Sequence, residues 1–128
     1  MLANADAVAT VGVRDVVKAR EFYGKLLGLR ELGGDGPAEV LIFESGRSRI
    51  QVYRSDYAGT NQATAITWDV GDRIEDVAAA LKEKGARFEH YSFEGMRLEG
   101  DIHVMDAMNM KALWLKDPDG NILSINGR

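Results

Sequence analysis

The 128-residue sequence predicts an α+β fold in which a unit of one strand, one helix and three further strands occurs twice. The first observation is a strand followed by an amphipathic helix, found near the start of the chain and again near its middle. The second is a hairpin pattern that closes each half. We therefore predict one domain made of two modules, module one over residues 6–55 and module two over residues 63–128.

Module one begins with period-2 alternation over residues 8–13, which predicts a strand. A helix follows from Asp15, a favoured N-cap residue, and its apolar positions recur at helical spacing. Gly28 stands where a left-handed C-cap is expected. Three short strands are then predicted at residues 29–32, 40–44 and 49–54. The glycine-rich stretch 33–37 separates the first of these strands from the other two.

Module two repeats the pattern with a strand over residues 65–70 and a helix that ends at Gly85. Asp72 is predicted as the N-cap of this helix, because Glu75 completes a capping-box spacing. Residues 91–110 show no clear period, and we expect them to form a loop over the open side of the sheet. This loop holds a short strand at 102–104, a run of methionines and two candidate lid glycines, Gly95 and Gly100.

Some punctuating residues of the two halves match at one constant offset. The matched residues are Val13, Asp15, Gly28 and Arg30 in module one and Val70, Asp72, Gly85 and Arg87 in module two. Any two strand–helix units share such punctuation, so these matches alone leave the origin open. The similar lengths of the halves, each ending in a hairpin, favour an internal duplication.

The last hairpin carries the clearest turn signal of the chain. Pro118 presets φ for a type I turn, Asp117 can accept hydrogen bonds from the turn backbone, and Gly120 tolerates left-handed backbone. The flanking residues 113–115 and 123–125 alternate in the strand period.

Composition excludes several classes of function. A formal net charge of −4 gives no basic surface for nucleic acid or anionic lipid, and the absence of cysteine excludes disulfides and thiolate chemistry. No segment has the length and hydrophobicity of a membrane span, and residues 1–6 lack the pattern of a signal peptide, so we expect a cytoplasmic protein.

Residues 20–29, together with the turn 117–121, resemble two signatures of the vicinal oxygen chelate superfamily. This is the fold of glyoxalase I, bleomycin-resistance proteins and extradiol dioxygenases. The resemblance implies two βαβββ modules that form a curled eight-stranded mixed sheet around a cavity, with the helices on the convex face. It also implies a homodimer.

The resemblance further implies four metal-ligand positions on the first and fourth strand of each module. These positions hold Val8, Gln51, Ala65 and Ser124. Two hydrocarbon side chains, one amide and one hydroxyl cannot balance a divalent charge, so we predict no metal ion and no other cofactor. Neither of the two histidines, His90 and His103, lies at a ligand position.

Strand alternation indicates which side chains face the predicted cavity, and the apolar residues of the opposite set fit burial under the helices. The predicted ligand-binding residues are Thr10, Gln51, Tyr53, Thr67, Asp69, His103, Met105, Met110, Trp114 and Ser124.

Each of these side chains also has a plain structural interpretation. Tyr53 fits a half-buried strand residue with its hydroxyl in water, and Asp69 a solvated carboxylate at a strand end. Trp114 and the methionines fit ordinary packing, and an exposed histidine without a role is the favoured interpretation of both His103 and His90.

The sequence favours a metal-independent protein that binds a small apolar or aromatic molecule. One alternative is an enzyme, namely a dioxygenase, lyase or isomerase, with a non-standard metal site or acid–base catalysis by Asp69, Tyr53 or His103. Another is a partner-binding domain whose own side chains fill the cavity. The sequence assigns no catalytic residue and leaves open whether the protein is an enzyme.

Overall fold

The computed structural model describes residues 1–33 and 39–128, and the chain divides into two compact units. Unit 1 comprises Met1–Gln62 and Asp117–Asn121, and unit 2 comprises Ala63–Lys116 and Ile122–Arg128. Of the predicted chain break at residues 33–37, positions 34–37 lie outside the described residues.

Unit 1 contains a four-stranded sheet and a helix that packs against it. The strands are β1 (Ala9–Val13), β2 (Arg30–Leu32), β3 (Val40–Ser45) and β4 (Ser48–Arg54). Their order is β1-β4-β3-β2; β1 runs parallel to β4, and the other pairs are antiparallel. All the strands predicted for module one are therefore confirmed.

Helix α1 is α-helical over Val16–Ala19 and π-helical over Arg20–Leu26. The Asp15 carboxylate caps it by accepting hydrogen bonds from the backbone N–H groups of Val17 and Lys18 at 2.9 and 3.2 Å, which confirms the predicted N-cap. Gly28 follows the helix with φ of 75°, the left-handed conformation expected of it. The π-helical turns are not evident from the sequence.

The core of unit 1 lies between α1 and one face of the sheet. Tyr23, which is fully buried, places its ring 6.0 Å from that of Phe43 on β3. The other buried side chains on this face are Val11, Val13, Leu41, Ile50 and Val52. The predicted alternation of β1 and β4 is therefore confirmed.

Unit 2 contains a six-stranded sheet and helix α2 (Ile74–Glu83). The strands are β5 (Thr64–Asp69), β6 (Phe88–Glu89), β7 (Arg97–Glu99), β8 (Ile102–Met105), β9 (Met110–Lys116) and β10 (Ile122–Gly127). Their order is β5-β10-β9-β8-β7, and β6 also pairs with β9. β5 runs parallel to β10, and the remaining pairs are antiparallel.

The prediction that Asp72 caps α2 is wrong. A 3-10 turn over Gly71–Arg73 precedes the helix, which begins at Ile74 with no side-chain cap. Gly71 has φ of 59°, and its N–H donates to the Asp69 carboxylate at 2.9 Å. The residues that the capping-box pattern assigned to the start of the helix therefore lie in this turn.

The prediction that residues 91–110 form a loop with one short strand is partly wrong. The strand at 102–104 is confirmed within β8, but β7 pairs with it to form a hairpin. Gly100, with φ of 62°, lies in the turn of that hairpin and is not a hinge. β7 was missed because all its side chains are exposed, so it shows no apolar alternation.

In unit 2, α2 packs against the sheet face that carries the buried residues of β9 and β10. A Cβ at Gly127 would lie 2.7 Å from the Cβ of Ile74, so the helix meets this face closely. The buried side chains of this face are Ile66, Leu113, Leu115, Leu123 and Ile125. Trp68 and Val70, which the alternation along residues 65–70 assigns to the same layer, are half-buried.

The predicted α+β class is confirmed, with strands paired in sheets of four and six within the described residues. No helix in this part of the chain is long and apolar enough to cross a membrane.

Candidate functional site

The cross-strand pairing brings most of the site residues predicted in module two onto one face of the unit 2 sheet. Ser124 on β10 pairs with Thr67 on one side and with Trp114 on the other. Because paired residues project to the same side of a sheet, these three side chains share one face. It is the face opposite to the one on which α2 packs. We call it the polar face, because hydroxyl, amide and carboxylate groups replace the aliphatic layer there.

A second row of paired residues crosses the same face. It consists of Asp69, Asn126, Ala112, His103 and Leu98. Met105 pairs with Met110 two residues further along the same strands, so both methionines also belong to the polar face. The polar face thus contains every predicted site residue of module two.

The expectation that His103 is exposed is wrong, since its side chain is fully buried. Its Nε2 atom accepts a hydrogen bond of 2.8 Å from the backbone N–H of Tyr91. The chain that follows β6 therefore passes over His103 and removes it from water. This coverage depends on strand pairing far along the chain and leaves no local sequence signal.

Aromatic rings surround His103. Its ring centroid lies 4.8 Å from that of Trp114 in an edge-to-face arrangement and 6.1 Å from that of Tyr91. Tyr91 in turn contacts Trp114 at 5.4 Å and Phe93 at 6.2 Å. We call these four residues the aromatic cluster. Offset and edge-to-face pairs of this kind stabilise ring packing and offer flat surfaces to planar molecules.

Sequence analysis missed Tyr91 and Phe93 as members of the site. Both fall in a stretch without period, and Phe93 remains exposed. The only local signal was that the two aromatic residues lie two positions apart, shortly after a strand. In an extended chain this spacing places both rings on one side.

Two buried polar atoms of the aromatic cluster lack hydrogen-bond partners in the described part of the chain. They are the Tyr91 hydroxyl and Nδ1 of His103. The Ala112 backbone lies near the imidazole and acts to raise the pKa of His103. It is not placed to form a hydrogen bond of normal geometry with Nδ1. Most buried polar atoms in proteins are paired, so such a concentration on one face is informative.

Burial lowers the pKa of His103 below its ordinary value of 6.5, and the neighbouring His90 lowers this pKa further. The buried ring is therefore neutral at pH 7. A neutral imidazole has one donor and one acceptor nitrogen.

The second histidine, His90, is exposed as predicted and belongs to a small ion-pair group. Its Nε2 lies 2.8 Å from the Asp101 carboxylate, which also accepts from the Lys82 ammonium at 3.3 Å. The hydrogen bond from His90 and then the Lys82 ammonium lower the pKa of Asp101.

The remaining predicted site residues lie on the sheet of unit 1. Thr10 pairs with Gln51, and Tyr53 pairs with Gly12 two positions along the same strands, so these side chains share the face opposite to α1. Thr10 is exposed and its hydroxyl donates to the Val8 carbonyl at 3.2 Å. Tyr53 is exposed rather than half-buried, at 38% of its surface.

Met105 and Met110 also border a surface cleft of about 200 Å³ in unit 2. Its cations are largely neutralised: Arg97 binds Glu99 and Asp106, and Lys111 binds Glu75. Met108 is 67% exposed. Met105 and Met110 therefore line a charged cleft edge as well as the polar face.

Comparison with known proteins was informative only for the fold. No family model and no curated protein matches the sequence. Among solved structures, a glyoxalase family protein from Enterococcus faecalis has a TM-score of 0.72 at 19% identity, over 98% of this chain and 99% of that chain. A glyoxalase/bleomycin resistance protein/dioxygenase from Alicyclobacillus acidocaldarius has 0.71 at 18% identity, over 97% and 91%.

A lactoylglutathione lyase from Agrobacterium tumefaciens has a TM-score of 0.69 at 14% identity, over 97% of this chain and 93% of that chain. The fold is that of the vicinal oxygen chelate superfamily. The resemblance predicted from the first helix and the last turn is therefore confirmed at the level of fold.

The positions at which this fold is expected to bind a metal ion do not carry suitable ligands here. In unit 1 they hold Val8 and Gln51, and in unit 2 Ala65 and Ser124. The Ser124 hydroxyl is already engaged, donating to the Asn126 side-chain oxygen at 2.9 Å. Within residues 1–33 and 39–128 there is no cluster of three or more His, Cys, Asp or Glu side chains placed to hold a metal. The donor set thus does not fit a divalent ion.

Proposed function

We propose that the protein binds a small planar apolar or aromatic molecule, without a metal ion, on the polar face of unit 2. The observation that carries the proposal is the aromatic cluster, in which Tyr91, His103 and Trp114 meet within ring-stacking distance. Flat rings beside a few hydrogen-bonding groups are the usual composition of small-molecule sites.

The composition of the polar face supports this ligand class. Trp114 is only half-buried, so part of its ring can contact a bound molecule. Thr67 and Ser124, in the same row, provide uncharged hydroxyl groups. Asp69, at the end of the next row, is exposed, and its carboxylate is bound to the turn before α2.

Metal independence is supported by the donor set at Val8, Gln51, Ala65 and Ser124. A divalent ion held by these residues would have no anionic ligand to balance its charge. We therefore expect ligand binding to persist in the presence of a chelator.

The proposal can be tested by thermal unfolding against a library of small aromatic compounds, with and without EDTA. A ligand that binds only the folded protein must raise its unfolding temperature. We expect stabilising compounds whose effect is unchanged by EDTA and is lost in Trp114→Ala. Tyr57→Ala, at a side chain of unit 1 that is 82% exposed and belongs to no predicted site, is a control for the variant. Stabilisation that requires added Zn²⁺, Ni²⁺ or Fe²⁺, or no stabilising compound at all, would contradict the proposal.

A second candidate function is catalysis by acid–base chemistry. It is favoured by His103, which is buried, neutral at pH 7 and unpartnered at Nδ1, the condition of many catalytic histidines. Incubating a stabilising compound with the protein and following it by NMR would separate the two functions. Conversion that is abolished by His103→Gln would favour catalysis, whereas an unchanged compound favours binding alone.

We also infer that the two units are copies of one βαβββ module. In support, the first strand of each unit runs parallel to the last, and the last runs antiparallel to the one before it. A crystal structure in which the two units, superposed on one another, do not share this strand arrangement would contradict this inference.

A further inference from the structure

The buried polar atoms of the aromatic cluster carry information about the ligand itself. We propose that Nδ1–H of His103 and the Tyr91 hydroxyl receive a neutral oxygen acceptor, so that the ligand is a planar aromatic compound bearing a carbonyl group. This inference rests on the proposed function and narrows its ligand class.

The first step is the tautomer of His103. Nε2 accepts from the backbone N–H of Tyr91 at 2.8 Å, and a backbone amide can only donate. In the neutral ring the proton must therefore be on Nδ1. The free nitrogen that His103 presents within the cluster is thus a donor, and its complement is an acceptor.

The second step is the free energy of the unpartnered atoms. His103 is fully buried, and neither its Nδ1 nor the Tyr91 hydroxyl has a partner in the described residues. A buried donor left unpaired destabilises the folded protein, because its lost hydration is not replaced. A ligand oxygen that accepts from these donors recovers this free energy, whereas a pure hydrocarbon does not.

The third step is charge. The ammonium groups near this region are already ion-paired, Lys82 with Asp101 at 3.3 Å and Lys116 with Glu89 at 3.1 Å. A ligand carboxylate would then be desolvated opposite two neutral donors, and the nearby ammonium groups of the described residues would not be free to balance it. A carbonyl oxygen accepts the same hydrogen bonds at a much lower desolvation cost.

The fourth step is access. Both polar atoms are shielded from solvent, and the segment that shields them, residues 90–96, has no helix or strand. Phe93 in this segment is 62% exposed, so its side chain has few packing contacts to lose. We infer that Phe93 and the residues after it shift outward to admit the ring beside Trp114, while the Tyr91 N–H keeps its hydrogen bond to His103.

The experiment compares two probes of nearly equal shape, acetophenone and ethylbenzene, of which only the first carries an oxygen. The protein is used with Trp68→Phe, which leaves Trp114 as its single tryptophan, since the sequence has two, and binding is followed by tryptophan fluorescence. We expect acetophenone to bind at least tenfold more tightly than ethylbenzene. Equal affinities would overturn the carbonyl inference and leave the proposed function standing. Binding of neither probe would count against the proposed function as well.

Variants then assign the difference to the two donors. His103→Gln keeps an acceptor near the position of Nε2 for the Tyr91 N–H and removes the donor at Nδ1. We expect it to weaken acetophenone binding about tenfold and to leave ethylbenzene unchanged. Tyr91→Phe should do the same, and Tyr57→Phe, the same chemical change on a tyrosine that is 82% exposed, should change neither affinity.

NMR of the imidazole nitrogens provides a readout that does not depend on the variants folding. We expect the Nδ1–H tautomer of His103 in the unliganded protein, with its Nδ1 resonance shifted by acetophenone and unaffected by ethylbenzene. An Nε2–H tautomer would overturn the inference. An equal shift with both probes would overturn it as well, because that is the result expected if an internal water alone satisfies the donors.

Discussion

Asp117 shows how much of the last turn depends on one carboxylate. Its Oδ1 accepts from the backbone N–H groups of Asp119 and Asn121, each at 2.9 Å. Its Oδ2 accepts from the Tyr23 hydroxyl at 2.8 Å and from the Asn121 side-chain amide at 2.7 Å. Burial and the Asp117 charge raise the pKa of Tyr23 far above its ordinary value, so the phenol stays a donor. The turn is thereby fastened to helix α1 within unit 1.

We expect Tyr23→Phe to lower the free energy of unfolding by about 1.5–3 kcal/mol, because a buried hydrogen bond to a charged group is lost. Urea unfolding followed by circular dichroism measures the change. Tyr57→Phe, on an exposed ring, should be within about 0.5 kcal/mol of wild type. Equal stability of the two variants would show that the Tyr23 hydroxyl does not hold the turn.

His103 leads to a prediction about pH. Its folded-state pKa lies below the ordinary value of 6.5, so the unfolded chain binds this proton at a higher pH than the folded chain does. The free energy of unfolding should therefore fall as pH decreases from about 6.5 towards the folded-state pKa, by at most about 1.4 kcal/mol per pH unit. The groups that face the ring are Tyr91, Trp114 and His90, and His90 is paired with Asp101.

The measurement is urea unfolding at intervals between about pH 7.5 and about pH 5, where histidine titrates. His103→Gln should flatten the dependence, whereas His90→Gln should retain most of it. Asp101 does not interfere, because its pKa is lowered below the ordinary value of 3.8. Its own effect on the free energy of unfolding therefore appears at lower pH than the range measured. An identical pH dependence in wild type and His103→Gln would contradict the prediction.

At the scale of elements, the turn that holds Gly59 meets the turn of the last hairpin within unit 1. Gly59 has φ of 69°, and a Cβ there would lie 1.9 Å from the carbonyl oxygen of Asp119. Two backbones therefore approach as closely as only glycine allows.

We expect Gly59→Ala to lower the free energy of unfolding by about 2–4 kcal/mol, from left-handed strain and steric overlap together. Gly46→Ala is the matched control: Gly46 has φ of 56° with open space around it, so only the strain of about 1 kcal/mol applies. Thermal or urea unfolding measures both. A Gly59 variant no less stable than the Gly46 variant would exclude the close approach.

The two helix starts provide a second comparison of elements. Asp15 caps α1 with two backbone hydrogen bonds, whereas Asp72 precedes α2 without a capping bond. We expect Asp15→Ala to cost about 1 kcal/mol and Asp72→Ala to be near neutral. Urea unfolding of both variants tests this, and equal losses would mean that Asp72 caps α2 in solution.

At the scale of the whole molecule, we expect a homodimer. Large apolar side chains in both units remain exposed, among them Val17 at 67% and Met108 at 67%, and a partner subunit would cover apolar surface of this kind. Sedimentation analysis should give twice the 14.1 kDa of a single chain. A single-chain mass at micromolar concentration would contradict the expectation.

Sequence reasoning was most successful where the signal is local. The Asp15 cap, the strands of unit 1 and the turn at residues 117–121 follow from turn chemistry and from the periods of two and 3.6 residues. It failed at β7, whose exposed side chains show no period, and at the 3-10 turn before α2, where Gly71 shifted the helix start.

The sequence by itself therefore determined the α+β class, the resemblance of the fold and the absence of suitable donors at the expected metal positions, because these depend on residue types and short spacings. Only the tertiary structure decided which polar groups are buried. Tyr23 reaches Asp117 from 94 residues away, and Tyr91 covers His103 across a hairpin. Burial depends on what packs on top of a residue, and that covering comes from distant parts of the chain.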